Sequence, residues 1–121
     1  MSRERFIPKP SYDTPIVPFE TAEDAWFWFI RCQRLRRAGA RLSDGPGDTA
    51  RPCDPDDIYR AVRELAVRRC LRPEHLDVLA RFGVRESPPD TRCREESRAA
   101  RLWAESLDSL ASVLKSKAIV A

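Results

Sequence analysis

Trp26-Phe27-Trp28-Phe29-Ile30 sets five large apolar side chains side by side in a chain of which 34% is charged. On a helix, successive side chains turn by about 100°, so a single buried stripe accepts only two or three of five neighbours. A helix built on this run must be central to its fold or partly covered by a second molecule. Composition alone would also allow a short strand. The flanks favour the helix: Thr21 can cap a first turn, Glu23 and Asp24 stand where the helix dipole favours negative charge, and Arg34-Leu35-Arg36-Arg37 precede a stop at Gly39. Thr21-Ala22-Glu23-Asp24 resembles a capping box with Asp in place of the longer acid.

Proline punctuates the rest. Pro8, Pro10, Pro15 and Pro18 exclude a helix from residues 1–19, which read as an extended arm anchored by Phe6, Tyr12, Ile16, Val17 or Phe19, or as a tail that orders on a partner. Residues 39–53 read as a loop, with turn chemistry in Ser43-Asp44-Gly45-Pro46-Gly47-Asp48. Asp54 as cap, Pro55 at the first helical position and Asp57 three residues after the cap start a second helix. Its stripe is Ile58, Val62, Leu65 and Ala66, and it reaches about Arg69. Pro73 opens a short third helix through Phe82, stopped by Gly83, with Leu76, Leu79 and Ala80 inward. After a loop holding Pro88-Pro89, Asp90 or Thr91 caps a last helix that ends near Lys117. Trp103, Leu107, Leu110 and Leu114 form its seam. The fold expected is all-α: a small orthogonal bundle of four main helices over residues 20–121, behind a proline-rich arm over residues 1–19.

The N-terminal residues Met1-Ser2-Arg3-Glu4-Arg5-Phe6 lack the layout of a signal peptide, and the longest apolar run, Ala25 to Ile30, is far short of a membrane span. A cytoplasmic protein with no membrane contact is expected. Cys32, Cys53, Cys70 and Cys93 stand far apart, without the close pairs from which structural zinc sites are usually built. They read as reduced thiols, with no metal and no cofactor, although a site assembled across elements around His75 is left open.

Net charge is only +3, but of 22 basic residues all except Lys9, Lys115 and Lys117 are arginine. Arginine suits phosphate recognition; GC-rich coding would raise its count equally well. The second helix, its short connection and the third helix match a helix-turn-helix layout, in which the second member enters the DNA major groove. In that arrangement Arg31, Arg34, Arg41, Arg68, Arg69 and Arg72 would contact phosphates, while His75, Val78 and Arg81 would face bases. Glu74 and Asp77 oppose it, and opposite charges at helical spacing (Glu64 with Arg68, Asp77 with Arg81) are also the mark of an ordinary solvated surface.

A small DNA-binding or transcription-associated regulator, with double-stranded DNA or the transcription machinery as partner, is the function expected. The alternative is a protein-interaction adaptor or homodimer whose partner covers Trp26, Phe27, Trp28 and Ile30, since large aromatics serve cores and interfaces alike. Nothing indicates an enzyme or a small-molecule substrate. Gly45-Pro46-Gly47 lacks the glycine and lysine that complete a phosphate-binding loop, and Asp56-Asp57 is explained by the helix start.

Trp26 to Gln33, the stretch Arg51 to Arg60 and the ending around Leu114 to Val120 together resemble a family of small uncharacterised proteins from alphaproteobacteria. The resemblance covers nearly the whole chain and implies a bacterial cytosolic setting. That family has no assigned activity, so no functional residue is carried over from it.

Overall fold

The computed structural model describes residues 15–39 and 50–121, and in them the chain is all-α. Four helices follow in order: α1 (Ala22–Arg37), α2 (Pro55–Val67), α3 (Pro73–Arg85) and α4 (Ser97–Ser116), the last entered through a 3-10 turn at Arg94–Glu96. They pack as a small bundle in which α4 lies against α1, α2 and α3. The arm anchors Phe6 and Tyr12, the Ser43–Asp48 turn and Arg41 lie outside the described residues.

The helix starts follow local chemistry. Thr21 accepts the Asp24 backbone N–H on its hydroxyl at 3.0 Å. At α2 the Asp54 N–H donates to Asp57 Oδ2 at 2.9 Å, so the third helical residue reaches back to satisfy the cap. The last helix starts later than Asp90 or Thr91. Asp90 Oδ1 instead accepts the Arg92 N–H at 2.9 Å, closing a local turn that postpones the helix to Ser97.

The stops share one geometry. Each helix is followed by a residue with positive φ: Gly39 at 88°, Arg69 at 66°, Glu86 at 56° and Ala118 at 60°. Backward hydrogen bonds, Cys70 N–H to Leu65 O, Ser87 N–H to Phe82 O and Ile119 N–H to Leu114 O, close the last turns of α2, α3 and α4. Because Arg69 has already turned left-handed, α2 ends at Val67 rather than at Arg69. Gly83, expected to stop α3, lies inside it and is buried; its missing side chain lets α1 approach, and the helix continues to Arg85.

α1 is central. Trp26 and Phe29 enter the core with Ile58, Leu65, Leu79, Phe82, Leu110 and Leu114. The described end of the arm, residues 15–19, is extended as expected, and Phe19 is core. Val17 N–H donates to Ala50 O, Phe19 N–H to Ile119 O and Ala121 N–H to Phe19 O, each at 2.9 Å. These bonds lay residues 15–19 between the segment before α2 and the segment after α4. Leu71, Ile119 and Val120 are also buried, though they belong to no helix. Each core side chain of this size contributes about 1.5–3 kcal/mol by leaving water.

Candidate nucleic-acid interface

The α2–α3 corner is built from five residues, Arg68 to Arg72. Arg69 takes the left-handed turn, Leu71 drops into the core at 2% exposure, and the arginines on either side are held outward. The buried leucine therefore sets the direction of its charged neighbours. Arg68 pairs with Glu64 one turn back at 2.9 Å. Arg72 lies 3.7 Å from the carboxylate of Glu74, and Arg98 of α4 lies 3.8 Å from the same oxygen.

Behind this pair, His75 Nε2 is 2.9 Å from Glu105 of α4. The hydrogen bond from His75, reinforced by Arg72 and Arg101, holds the Glu105 carboxyl below the usual range. The corner thus gathers Arg72, Arg98 and Arg101 near the carboxylates of Glu74 and Glu105, with Arg69 and the Arg68–Glu64 pair alongside.

His75 and Val78, expected to face bases, are turned the other way. They are 5% and 2% exposed. α3 is rotated by about one position from the expected stripe: His75, Val78, Leu79 and Phe82 point inward, Leu76 is half-buried, and Ala80 is exposed. Contacts with α1 near Gly83 and with α4 at Glu105 choose this face. The exposed side of α3 keeps Arg81, paired with Asp77 at 3.2 Å. Between α3 and α4 lies a cavity of about 220 Å³ whose lining includes Glu74, Asp77 and Glu95 against Arg81 and Arg98. These carboxylates oppose insertion of α3 itself into a phosphate-lined groove, whereas Arg72, Arg98 and Arg101 stay exposed beside it.

Three arginines of α1 are engaged elsewhere. Arg31 and Arg34 both meet the carboxylate of Glu86, Arg31 at 3.8 Å, and Arg34 also donates to the Val84 carbonyl. Arg36 pairs with Asp56 at 3.3 Å. The structure therefore separates Arg31 and Arg34, at the end of α3, from the corner that holds Arg68, Arg69 and Arg72. Arg98 and Arg101 join that corner only through packing of α4. In the sequence they show only helical spacing to acids, Arg98 three residues after Glu95 and Arg101 four before Glu105.

The aromatic run is covered from within. Trp26 is 6% exposed, Phe27 lies against Trp103 with ring centres 5.6 Å apart, and Trp28 against Phe19 at 5.2 Å. Ile30 is half-buried against the core. Among the described residues the exposed large apolar side chains are Ile16, Val17, Tyr59, Val67 and Val84. No group of three or more His, Cys, Asp or Glu gathers as for a metal ion among the described residues, and no described helix is long and apolar enough to cross a membrane. Comparison of the chain with protein-family models, with curated proteins and with solved structures finds no match.

Proposed function

We propose that this protein is a small regulatory protein that contacts nucleic acid through backbone phosphates at the α2–α3 corner. One observation carries this: Arg72 and Arg98 share the single carboxylate of Glu74, on an exposed ridge that also holds Arg69 and Arg101. A guanidinium has five N–H donors, so an arginine already holding a carboxylate can still bind a phosphate oxygen. Phosphate contacts position a protein on a duplex without reading sequence. With His75 and Val78 in the core, α3 offers no base-reading set of its own. The role that fits is therefore a sequence-tolerant accessory one, within transcription or another assembly on DNA, and not that of a site-specific repressor.

Fluorescence anisotropy with a labelled duplex, titrated across salt concentrations, tests this. Affinity is expected to fall steeply with salt, with a slope of about 0.9 per phosphate engaged. Joint replacement of Arg69, Arg98 and Arg101 by Gln should flatten that slope and weaken binding to unrelated duplexes equally. Undetectable binding, or binding indifferent to salt, would overturn the assignment.

The adaptor reading finds less support, because Phe19, Trp103 and the core already occupy the faces of the Trp26–Ile30 run that a partner was expected to cover.

A further inference from the structure

Helices α2 and α3 begin in the same way, with one chemical difference. In each, a proline follows the cap residue, an acid comes next, and the third helical side chain turns back to accept the cap's backbone N–H. At α2 the acceptor is Asp57 Oδ2, 2.9 Å from the Asp54 nitrogen; at α3 it is His75 Nδ1, 3.1 Å from the Arg72 nitrogen. A carboxylate oxygen accepts without condition, whereas an imidazole nitrogen accepts only while it carries no proton. The Arg72 N–H therefore requires a bare Nδ1, which places the ring proton on Nε2, 2.9 Å from Glu105. The Arg72 N–H makes no other hydrogen bond among the described residues.

We propose that His75 is a proton-sensitive latch on the α2–α3 corner: a second proton, taken from solvent onto Nδ1, displaces the Arg72 N–H and loosens the first turn of α3. The contact to Glu105 does not oppose this, since Nε2–H donates to that carboxylate in both protonation states. The change falls on Nδ1, where two N–H groups would then face one another. The charged groups nearest the ring are of both signs: Glu105 of α4 and Glu74 on one side of the balance, Arg72 and Arg101, with Arg98 beyond Glu74, on the other. α1, the other helix packed on α3, meets it through Trp26 at Leu79, and its charged contacts lie at the far end, Arg31 and Arg34 on Glu86. His75 is 5% exposed while Arg72 lies at the surface, so the ring cannot swing out without disturbing its packing and the relief falls on the exposed cap, which opens. The latch belongs to the fold and does not depend on nucleic acid being the partner.

The test is nuclear magnetic resonance on the intact ¹⁵N-labelled protein and on His75→Gln. Glutamine at the third helical position can accept the cap N–H without titrating. At neutral pH the imidazole nitrogen shifts should report the Nε2–H tautomer. As the ring takes its second proton, the exchange protection of the Arg72 amide should fall by about tenfold or more, while amides deep in α3 and α4, such as those of Leu79 and Leu110, keep theirs. In His75→Gln the Arg72 amide should stay protected over the same range. An Nδ1–H tautomer, undiminished Arg72 protection after the ring has protonated, or global unfolding before it protonates would each overturn the proposal. Should the glutamine variant fail to fold, the tautomer and the Arg72 protection of the unaltered protein decide alone.

Discussion

A Cβ built on Gly83 would stand 2.8 Å from the indole Nε1 of Trp26, and that nitrogen donates to the Leu79 carbonyl 3.0 Å away. Two atoms of Ile30 would crowd it at 3.1 and 3.2 Å. The indole is held by its hydrogen bond within the core and cannot swing aside cheaply. Gly83→Ala should therefore destabilise the protein despite alanine's better helix propensity. Overpacking costs about 1–3 kcal/mol and the propensity gain returns about 1 kcal/mol; against a pinned indole the cost lies in the upper part of its range, and the net loss reaches about 2 kcal/mol. Urea denaturation of the two proteins measures it, and a more stable alanine variant would refute the close approach.

Ala118 follows α4 at φ 60°, a conformation in which a Cβ is strained and glycine is not. Its neighbours Ile119 and Val120 are buried, so the turn is held where it is. Relief of about 1–2 kcal/mol of left-handed strain, offset by about 0.5–1 kcal/mol for glycine's greater loss of freedom, should make Ala118→Gly more stable by up to about 1 kcal/mol. Glu86→Gly at φ 56° should not show the same gain, because the Glu86 carboxylate joins the ends of α1 and α3 through Arg31 and Arg34. Thermal unfolding of both variants separates the two cases.

The four thiols differ in environment and should differ in reactivity. Cys70 is exposed at the corner, and Cys32 is buried. Burial first, then the nearby carboxylates of Asp57 and Asp54, push the Cys53 thiol up to about 11. Burial also raises Cys32, against the opposing effect of Arg31 and Arg36. Alkylation of the folded protein near pH 8, followed by mass spectrometry, should modify Cys70 well before Cys53 and Cys32. Equal rates at all three positions would mean that burial does not protect them.

Glu96 receives Arg85 at 3.1 and 3.3 Å and the Asp90 backbone N–H at 2.8 Å. The Arg85 hydrogen bond first, and that from Asp90 second, lower its carboxyl below the usual range. A carboxyl depressed in the folded state contributes stability above its unfolded pKa and loses it as pH falls through the folded value. Glu96→Gln should therefore lower the melting temperature at neutral pH, with the gap to the unaltered protein closing as the solution is made acidic. A gap that stays constant with pH would show that the charge of Glu96 is not what holds the segment before α4.

Much of the fold was legible in the linear chain because its signals act within one turn. A hydroxyl at Thr21, Pro55 and Pro73 at first helical positions and an acid at Asp57 fulfil their roles through atoms three or four residues away, so the starts of α1, α2 and α3 follow from adjacent letters. The centrality of α1 also follows, since five neighbouring large apolar side chains cannot share one stripe. The exposure of His75 and Val78 could not be decided that way. Their face of α3 is buried because α1 approaches at Gly83 and α4 offers Glu105 to the imidazole, contacts between residues 30 or more positions apart. Leu71, Ile119 and Val120 carry no periodicity and enter the core only because helix caps aim them there. Whether the arginines would form one face was likewise a tertiary matter. The same residue type is tied down by Glu86 on α1 and shares the single carboxylate of Glu74 at the α2–α3 corner, and what separates the two outcomes is which carboxylates the packing of α3 and α4 brings within reach.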